Sequence, residues 1–275
     1  MEYYEVLRAV REKTPLIQCI TNFVTVNDCA NILLAAGASP SMAQDIREVE
    51  EAVAGANGLV CNLGAIDFVD SMMLAGKKAN ALGIPVVLDP VAAGGTKLRR
   101  QLSSKLLKEV HFAAIRGNAS EIRALAGQDS CGSGVDVSAL DTITTENLSR
   151  SVELIAALAQ KTGAVIAVSG VMDVVSDGTK TVLLHNGCAT MARVTGSGCM
   201  LTTLIGGFCA AAPEHPFETV CAAMATMGIC GEIAEEKRLQ NKTGNATFRT
   251  DLIDAVFNLT EQELKERVRY EVYKG

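Results

Sequence analysis

The chain has 275 residues, 48% hydrophobic and 20% charged, which is enough apolar material to bury a sizeable core and excludes a disordered chain. Its formal net charge of −6 comes without any basic run, because the lysines and arginines are scattered. That excludes a nucleic-acid surface, so an anionic ligand has to be held by local groups.

The pattern along the chain alternates short apolar runs with helix-like segments. Leu16 to Ile20 is a strand. It is followed by the polar cluster Thr21-Asn22-Phe23-Val24-Thr25-Val26-Asn27-Asp28 and a small-residue helix that ends at Gly37. Asn22 and Asn27 at that strand end serve either as caps and turn residues or as pocket walls. Ser39 to Met42 is a short extended stretch leading to a helix from about Asp45 to Ala54. Met42 either fills core or contacts an apolar ring.

Leu59 to Leu63 is a buried strand, with a helix from about Asp67 to Leu82 closed by Gly83. Ile84 to Leu88 is the next strand, ending in Asp89-Pro90-Val91 and a loop from Ala92 to Thr96. Ligands gather at the carboxyl ends of parallel strands, where Asp89 falls. Its carboxylate either binds loop amides or offers the hard oxygens that Mg²⁺ prefers.

Val110 to Ile115 is a further strand, running into Arg116-Gly117-Asn118-Ala119-Ser120-Glu121. Asn118 and Glu121 have the spacing of a capping box opening a helix that finishes near Gly127. Arg116 is placed to pair with an acid or to grip phosphate with its planar fork. Gln128 to Thr142 reads as a long loop. A helix from about Thr145 to Lys161 then leads into the strand Ala164 to Val168, with Ser169-Gly170 at its end. Val171 to Ser176 and Thr179 to Leu184 flank Asp177-Gly178, an antiparallel hairpin signal.

Thr190 to Val194 is expected as a strand entering Gly196-Ser197-Gly198-Cys199 and a helix to Ala212. Glycines opening a helix expose backbone N–H groups at the positive end of its dipole, an anion hole; an unliganded Gly-rich connection has the same pattern. The rest is helical, from Pro216 to about Leu239 and from Asp251 to Arg269. The expected fold is a three-layer αβα single domain over residues 1–275, with a mostly parallel central sheet and a late antiparallel hairpin.

Nine cysteines without a Cys-x-x-Cys pair read as reduced thiols of a cytoplasmic protein. His111, His185 and His215 lack ligand spacing, so no zinc site is expected. The acidic start Met1-Glu2-Tyr3-Tyr4-Glu5 does not read as a signal peptide, and the apolar run Met200 to Ala212 is too short to cross a membrane.

Asp89, the Asn118–Glu121 pair and the glycines at 196 and 198 together point to phosphoryl transfer. The sequence resembles the ribokinase-like kinases, in which an Asn-x-x-Glu motif organises Mg²⁺ and a late Gly-x-Gly-Asp opens the catalytic helix. Here Cys199 stands where most of them carry the aspartate. With that cysteine, Thr21 to Asn27, Pro40-Ser41-Met42, Asp89-Pro90-Val91 and Arg116-Gly117-Asn118, the chain looks like the hydroxyethylthiazole kinase family from about Leu16 to Asp254.

The resemblance implies ATP-dependent phosphorylation of the primary alcohol of 4-methyl-5-(2-hydroxyethyl)thiazole in thiamine salvage, with Mg²⁺, by a homotrimer with active sites between subunits. It also implies residue roles. Met42, Gly196, Asn22 and Val24 meet the thiazole, Arg116 and Ser169 meet ATP, Asp89 and Glu121 organise the metal, and Ser197, Gly198 and Cys199 carry the catalytic turn. A kinase of a pyrimidine or pyridoxal alcohol, an ATP-dependent dehydratase of hydrated nicotinamide nucleotides and a non-catalytic sensor are the alternatives on this fold.

Overall fold

A computed structural model describes residues 1–127 and 143–274. Among them a nine-stranded sheet runs in the order β2-β1-β3-β4-β5-β6-β7-β8-β9. The strands are β1 (Leu16–Ile20), β2 (Ser39–Ser41), β3 (Gly58–Asn62), β4 (Val86–Asp89), β5 (Ala114–Asn118), β6 (Val165–Ser169), β7 (Asp173–Ser176), β8 (Thr181–Leu184) and β9 (Tyr270–Val272). All pairings from β2 across to β6 are parallel, and those from β6 to β9 are antiparallel.

Helices cover both faces, and the period of two along the strands sorts the apolar residues between them. Ile17, Cys19, Val60, Val87, Ala114, Val165 and Ala167 face one core. It is shared with α1 (Tyr3–Lys13), α2 (Val26–Ala36), α8 (Ser197–Ala211), α9 (Pro216–Asn241), α10 (Asn245–Asn258) and α11 (Glu261–Arg267). Ile20, Leu59, Cys61, Val86, Leu88, Ile115, Ile166 and Val168 face the other. There they meet α3 (Val49–Ala54), α4 (Val69–Leu82), α5 (Lys97–Glu109), α6 (Ala119–Leu125) and α7 (Leu148–Thr162). Each fully buried Leu or Ile side chain contributes about 1.5–3 kcal/mol, which explains two cores without a tryptophan.

After β1 the chain turns to one side to form β2 and then returns to the other to form β3. That reversal leaves a crevice outside the carboxyl ends of β1 and β3, a topological switch point. Helix α8 lies flat against the sheet beneath it. A Cβ on Gly206 would sit 2.3 Å from Val60 Cγ2, so only glycine permits this approach. Helix α9 has the length and apolar composition of a membrane span, but 78% of its most apolar window is buried inside the fold, as in a core helix.

Several expectations need correction. Thr190 to Val194 is not a strand: Ala189–Arg193 is a 3₁₀-helix. The antiparallel side of the sheet is completed by β9 next to β8, and the segment instead packs on α9, where Met191 Sδ lies 2.5 Å from the place a Cβ on Gly231 would take. The strand expected at Val110 to Ile115 begins only at Ala114, because Val110 still closes α5 by donating its N–H to Leu106 O. The helix expected from Asp45 starts at Val49, since Asp45 O takes up the N–H groups of Glu48 and Val49 in a turn. Helix α10 begins at Asn245 rather than Asp251, and Asn245 Nδ2 donates to Arg193 O at 3.0 Å. Helices α1 and α5 and strand β9 had no assignment from the sequence. The loop expected at Gln128 to Thr142 lies outside the described residues.

Candidate active site

The site is built where strand ends meet the first turn of α8. Asp89 ends β4 and Asn62 ends β3 beside it in register. Asn62 Nδ2 donates to Asp89 Oδ2 at 3.0 Å and to Cys199 Sγ at 3.2 Å. Thr202, one turn along α8, donates its hydroxyl to the same Asp89 oxygen at 2.9 Å. From the far side of the switch point, Asn22 Nδ2 donates to Asn62 Oδ1 at 3.2 Å and to Cys199 Sγ at 3.5 Å. Asn22 Oδ1 accepts from Val24 N–H at 3.1 Å and from the Thr25 hydroxyl at 3.2 Å, fixing the loop that carries Val24.

Gly196, Ser197, Gly198 and Cys199 form the entrance to α8. Gly196 has φ +86°, and a Cβ there would lie 2.6 Å from Thr25 Cγ2, so conformation and space both require glycine. Gly198 and Cys199 lie in the first turn, whose N–H groups have no intrahelical acceptor. Arg116 reaches over this turn from β5, and a Cβ on Gly198 would stand 2.5 Å from its Nη1. The guanidinium is hydrogen-bonded to Ser169 Oγ through Nη2. Its Nε is buried and unpaired. A buried donor of this kind is costly unless a ligand accepts from it.

Burial sets the acid–base character. Asp89, 1% exposed, is pushed up to about 6, first by desolvation, with the Arg116 charge opposing and the Glu121 charge adding. Desolvation, together with the neighbouring Asp89 charge, pushes the Cys199 thiol up to about 11, so it is a neutral S–H at neutral pH. Beside this cluster opens a cavity of about 570 Å³ lined by Arg116, Ser169, Asp173, Gly198, Asn186 and Met227, among others. Its lining joins the Arg116 cation and the α8 turn to Met224 and Met227 of α9. It has the size of a nucleotide-class ligand site.

The model of the hydroxyethylthiazole kinase family matches residues 7–262. The chain belongs to that family. It is 46% identical to hydroxyethylthiazole kinase of Clostridium acetobutylicum over 98% of this chain and 99% of the relative. It is 41% identical to that of Methanobrevibacter smithii over 98% and 96%. The solved structure of the hydroxyethylthiazole kinase protein of Pyrococcus horikoshii superposes with a TM-score of 0.86 at 35% identity, covering 99% of both chains. Pyridoxal kinase of Staphylococcus aureus in complex with ADP matches with a TM-score of 0.58 at 13% identity over 79% of this chain and 87% of that one, a likeness of fold.

In this member of the hydroxyethylthiazole kinase family, Glu121 has two structural partners. Its Oε2 accepts from Asn118 N–H at 2.8 Å, completing the expected capping box, and its Oε1 accepts from Ala92 N–H at 2.9 Å in the loop after β4. Mg²⁺ takes hard oxygens and keeps several waters, held by one or two carboxylates and phosphate. The pair fits that sparse requirement: Asn62 and Thr202 occupy only Oδ2 of Asp89, and each Glu121 oxygen retains a lone pair. Among the described residues no group of three or more His, Cys, Asp or Glu could hold a metal, so a cage made wholly of protein is absent there.

Two expected thiazole residues are less tightly joined to the cluster. Val24 is 56% exposed at the rim. Met42 packs against the α8-side core, on a segment tied to Thr21 O by Gln44 Nε2 at 2.6 Å. The sequence reading missed Asn62, Thr202, Asp173 and the methionines of α9. Asn62 had a signal, a lone amide closing an apolar strand, whereas the methionines of α9 have the pattern of ordinary core. Asp173 is pushed up to about 7 by burial, against the Gly170 N–H it accepts and the Arg116 charge.

Proposed function

We propose that the protein is a single kinase domain over residues 1–275 that transfers the γ-phosphoryl group of ATP to the primary alcohol of 4-methyl-5-(2-hydroxyethyl)thiazole in thiamine salvage. The observation that carries this reading is the hydrogen-bonded cluster of Asn22, Asn62, Asp89 and Cys199 at the open turn of α8, next to a cavity of about 570 Å³.

The nucleotide occupies that cavity with its phosphates toward Arg116, Ser169 and the turn. Arg116, through its unpaired Nε, and Ser169 bind the phosphates. The N–H groups of Gly198 and Cys199 receive the oxygens of the group in flight, with Ser197 opening the turn. Mg²⁺ held by Asp89 and Glu121 would neutralise phosphate charge when bound. The thiazole lies across the rim formed by Asn22, Val24, Met42 and Gly196, its hydroxyl toward Cys199.

Phosphoryl transfer has a loose transition state, so alignment and charge neutralisation matter more than a strong base. The neutral Cys199 thiol takes up no proton: it orients the hydroxyl, whose proton passes to a phosphoryl oxygen as the new O–P bond forms and the bond to the leaving ADP oxygen breaks. The apolar rim residues Phe23, 91% exposed, and Val24 suit burial by a neighbouring subunit, in keeping with a homotrimer whose sites lie between subunits. The eight described cysteines are all free, in keeping with a cytoplasmic setting.

The test is steady-state ADP release with the thiazole alcohol, ATP and Mg²⁺, run beside pyridoxal and a hydroxymethylpyrimidine, with light scattering for the assembly. The thiazole alcohol is expected to give the highest kcat/KM. A higher value with either comparator, or binding without ADP release, refutes the assignment.

A further inference from the structure

Asn62 is 1% exposed, yet every hydrogen-bonding capacity of its amide is in use. Its Oδ1 accepts from Gly64 N–H at 2.9 Å and from Asn22 Nδ2 at 3.2 Å. Those two donors settle which way the amide faces, so its NH₂ is turned toward α8 and β4. One hydrogen goes to Asp89 Oδ2 at 3.0 Å and the other to Cys199 Sγ at 3.2 Å. An asparagine that merely satisfies a strand end needs backbone partners. Here one partner is backbone, and the other three are side chains from three different segments: the loop after β1, the end of β4 and the first turn of α8.

From this geometry we propose that Asn62 is the positioning residue of the transfer, holding the Cys199 sulfur and the Asp89 carboxylate in fixed separation and tying both to Asn22 on the substrate loop. The proposal rests on the role given to Cys199 under the proposed function. The amide bridges the groups at the alcohol end and the metal end, and does so across the switch point, where no backbone ladder links the loop after β1 to α8. Nothing about Asn62 touches the nucleotide cavity, whose lining does not include it. Its loss therefore acts on the alignment of the reacting groups and leaves ATP binding intact.

The test uses Asn62→Ser and Asn62→Ala in the whole chain, with kcat, both KM values and ADP affinity by calorimetry. Asn62→Ser keeps an oxygen that can accept from Gly64 N–H two residues on but is too short to hold Asp89 and Cys199 together, so it remains informative if the alanine variant folds poorly. For the folded variants kcat is expected to fall roughly tenfold to a hundredfold, the scale of a misalignment near an ångström, with the KM for ATP and the ADP affinity within about threefold of wild type. In a Cys199→Ala background the same Asn62 substitution is expected to cost at least about threefold less, the coupling of residues that act as a unit. A KM for ATP that rises while kcat holds, or an Asn62 effect of equal size with and without the sulfur, overturns the proposal. Wild-type kcat in Cys199→Ala alone overturns the role given to the thiol and this proposal with it, and is read from a separate protein.

Discussion

Replacing Asp89 by asparagine separates what this carboxylate costs the fold from what it does in the reaction. The side chain is buried, and burial lifts its pKa from 3.8 to about 6. A carboxyl whose folded pKa is raised binds its proton more tightly in the folded than in the unfolded chain. Stability therefore falls as pH rises from about 4 through about 6, and the full deficit is present above that window. A rise of this size corresponds to about 3 kcal/mol. The substituted amide would keep an acceptor oxygen for Asn62 and Thr202 while removing the charge. Asp89→Asn is thus expected to melt roughly 5–10 °C higher than wild type at about pH 8 in EDTA, with the gain shrinking as the pH is lowered toward about 4, and to have lost nearly all turnover. The assay is a set of thermal melts across that pH range beside a single ADP-release measurement. A variant less stable than wild type at the alkaline end would refute the reasoning, because it would mean that attraction to Arg116 outweighs the desolvation of the carboxylate.

Other substitutions address the remaining groups. Cys199→Ala is expected to lower kcat moderately, by about tenfold or less, and Cys199→Asp to leave a working enzyme; a folded but inactive aspartate variant, shown by circular dichroism and ADP release, counts against the role given to this position. Glu121→Gln is expected to cost about 1 kcal/mol of stability through the capping box and also to raise the Mg²⁺ concentration for half-maximal rate. If urea denaturation shows the first effect and the magnesium titration does not show the second, Glu121 is only a clip between α6 and the loop after β4. Gly198→Ala places a methyl group where Arg116 Nη1 lies 2.5 Å away, so the KM for ATP is expected to rise about tenfold with stability unchanged or slightly improved. An unaltered KM disproves the contact's importance. Asp173, with a pKa of about 7, gains charge beside the phosphate site as pH rises, so the KM for ATP is expected to increase between about pH 6 and 8, and Asp173→Asn to flatten that profile.

Much of the architecture was legible because burial on both faces leaves continuous apolar runs such as Leu59-Val60-Cys61, and because Gly37 and Gly83 mark helix ends with the left-handed backbone expected of them. The Asp177-Gly178 hairpin was legible from turn chemistry alone. Strand β9 was not, since its three residues are exposed and show no alternation. Helix α5 carries Leu98, Leu102 and Leu106 at helical spacing, with Thr96 capping Arg99 N–H, but the basic residues interleaved with them obscured that stripe. Ala189–Arg193 looked extended because its partner, Gly231 on α9, is far away in sequence. At the candidate site, Asp89 stood out by its place at a strand end and Glu121 by its spacing from Asn118. The sequence leaves cap and metal carboxylate as rival roles for Glu121, although one side chain has the oxygens for both. Asn62 escaped because its meaning lies in three side chains brought together only by the fold.

The close seating of α8 on the sheet has a mechanical consequence. Gly206 rests against Val60 seven residues beyond Cys199, roughly 10 Å along the helix axis. The helix is a stiff rod, and its height above the sheet at Gly206 sets where its first turn stands relative to Asp89. A single methyl group added at Gly206 would lift the rod at a point remote from any substrate and tilt the reactive turn away from the strand ends. The tolerance of this enzyme to error is therefore set in its core as much as at its rim. A harmless-looking packing change beneath the sheet would read out as lost alignment at the other end of the helix.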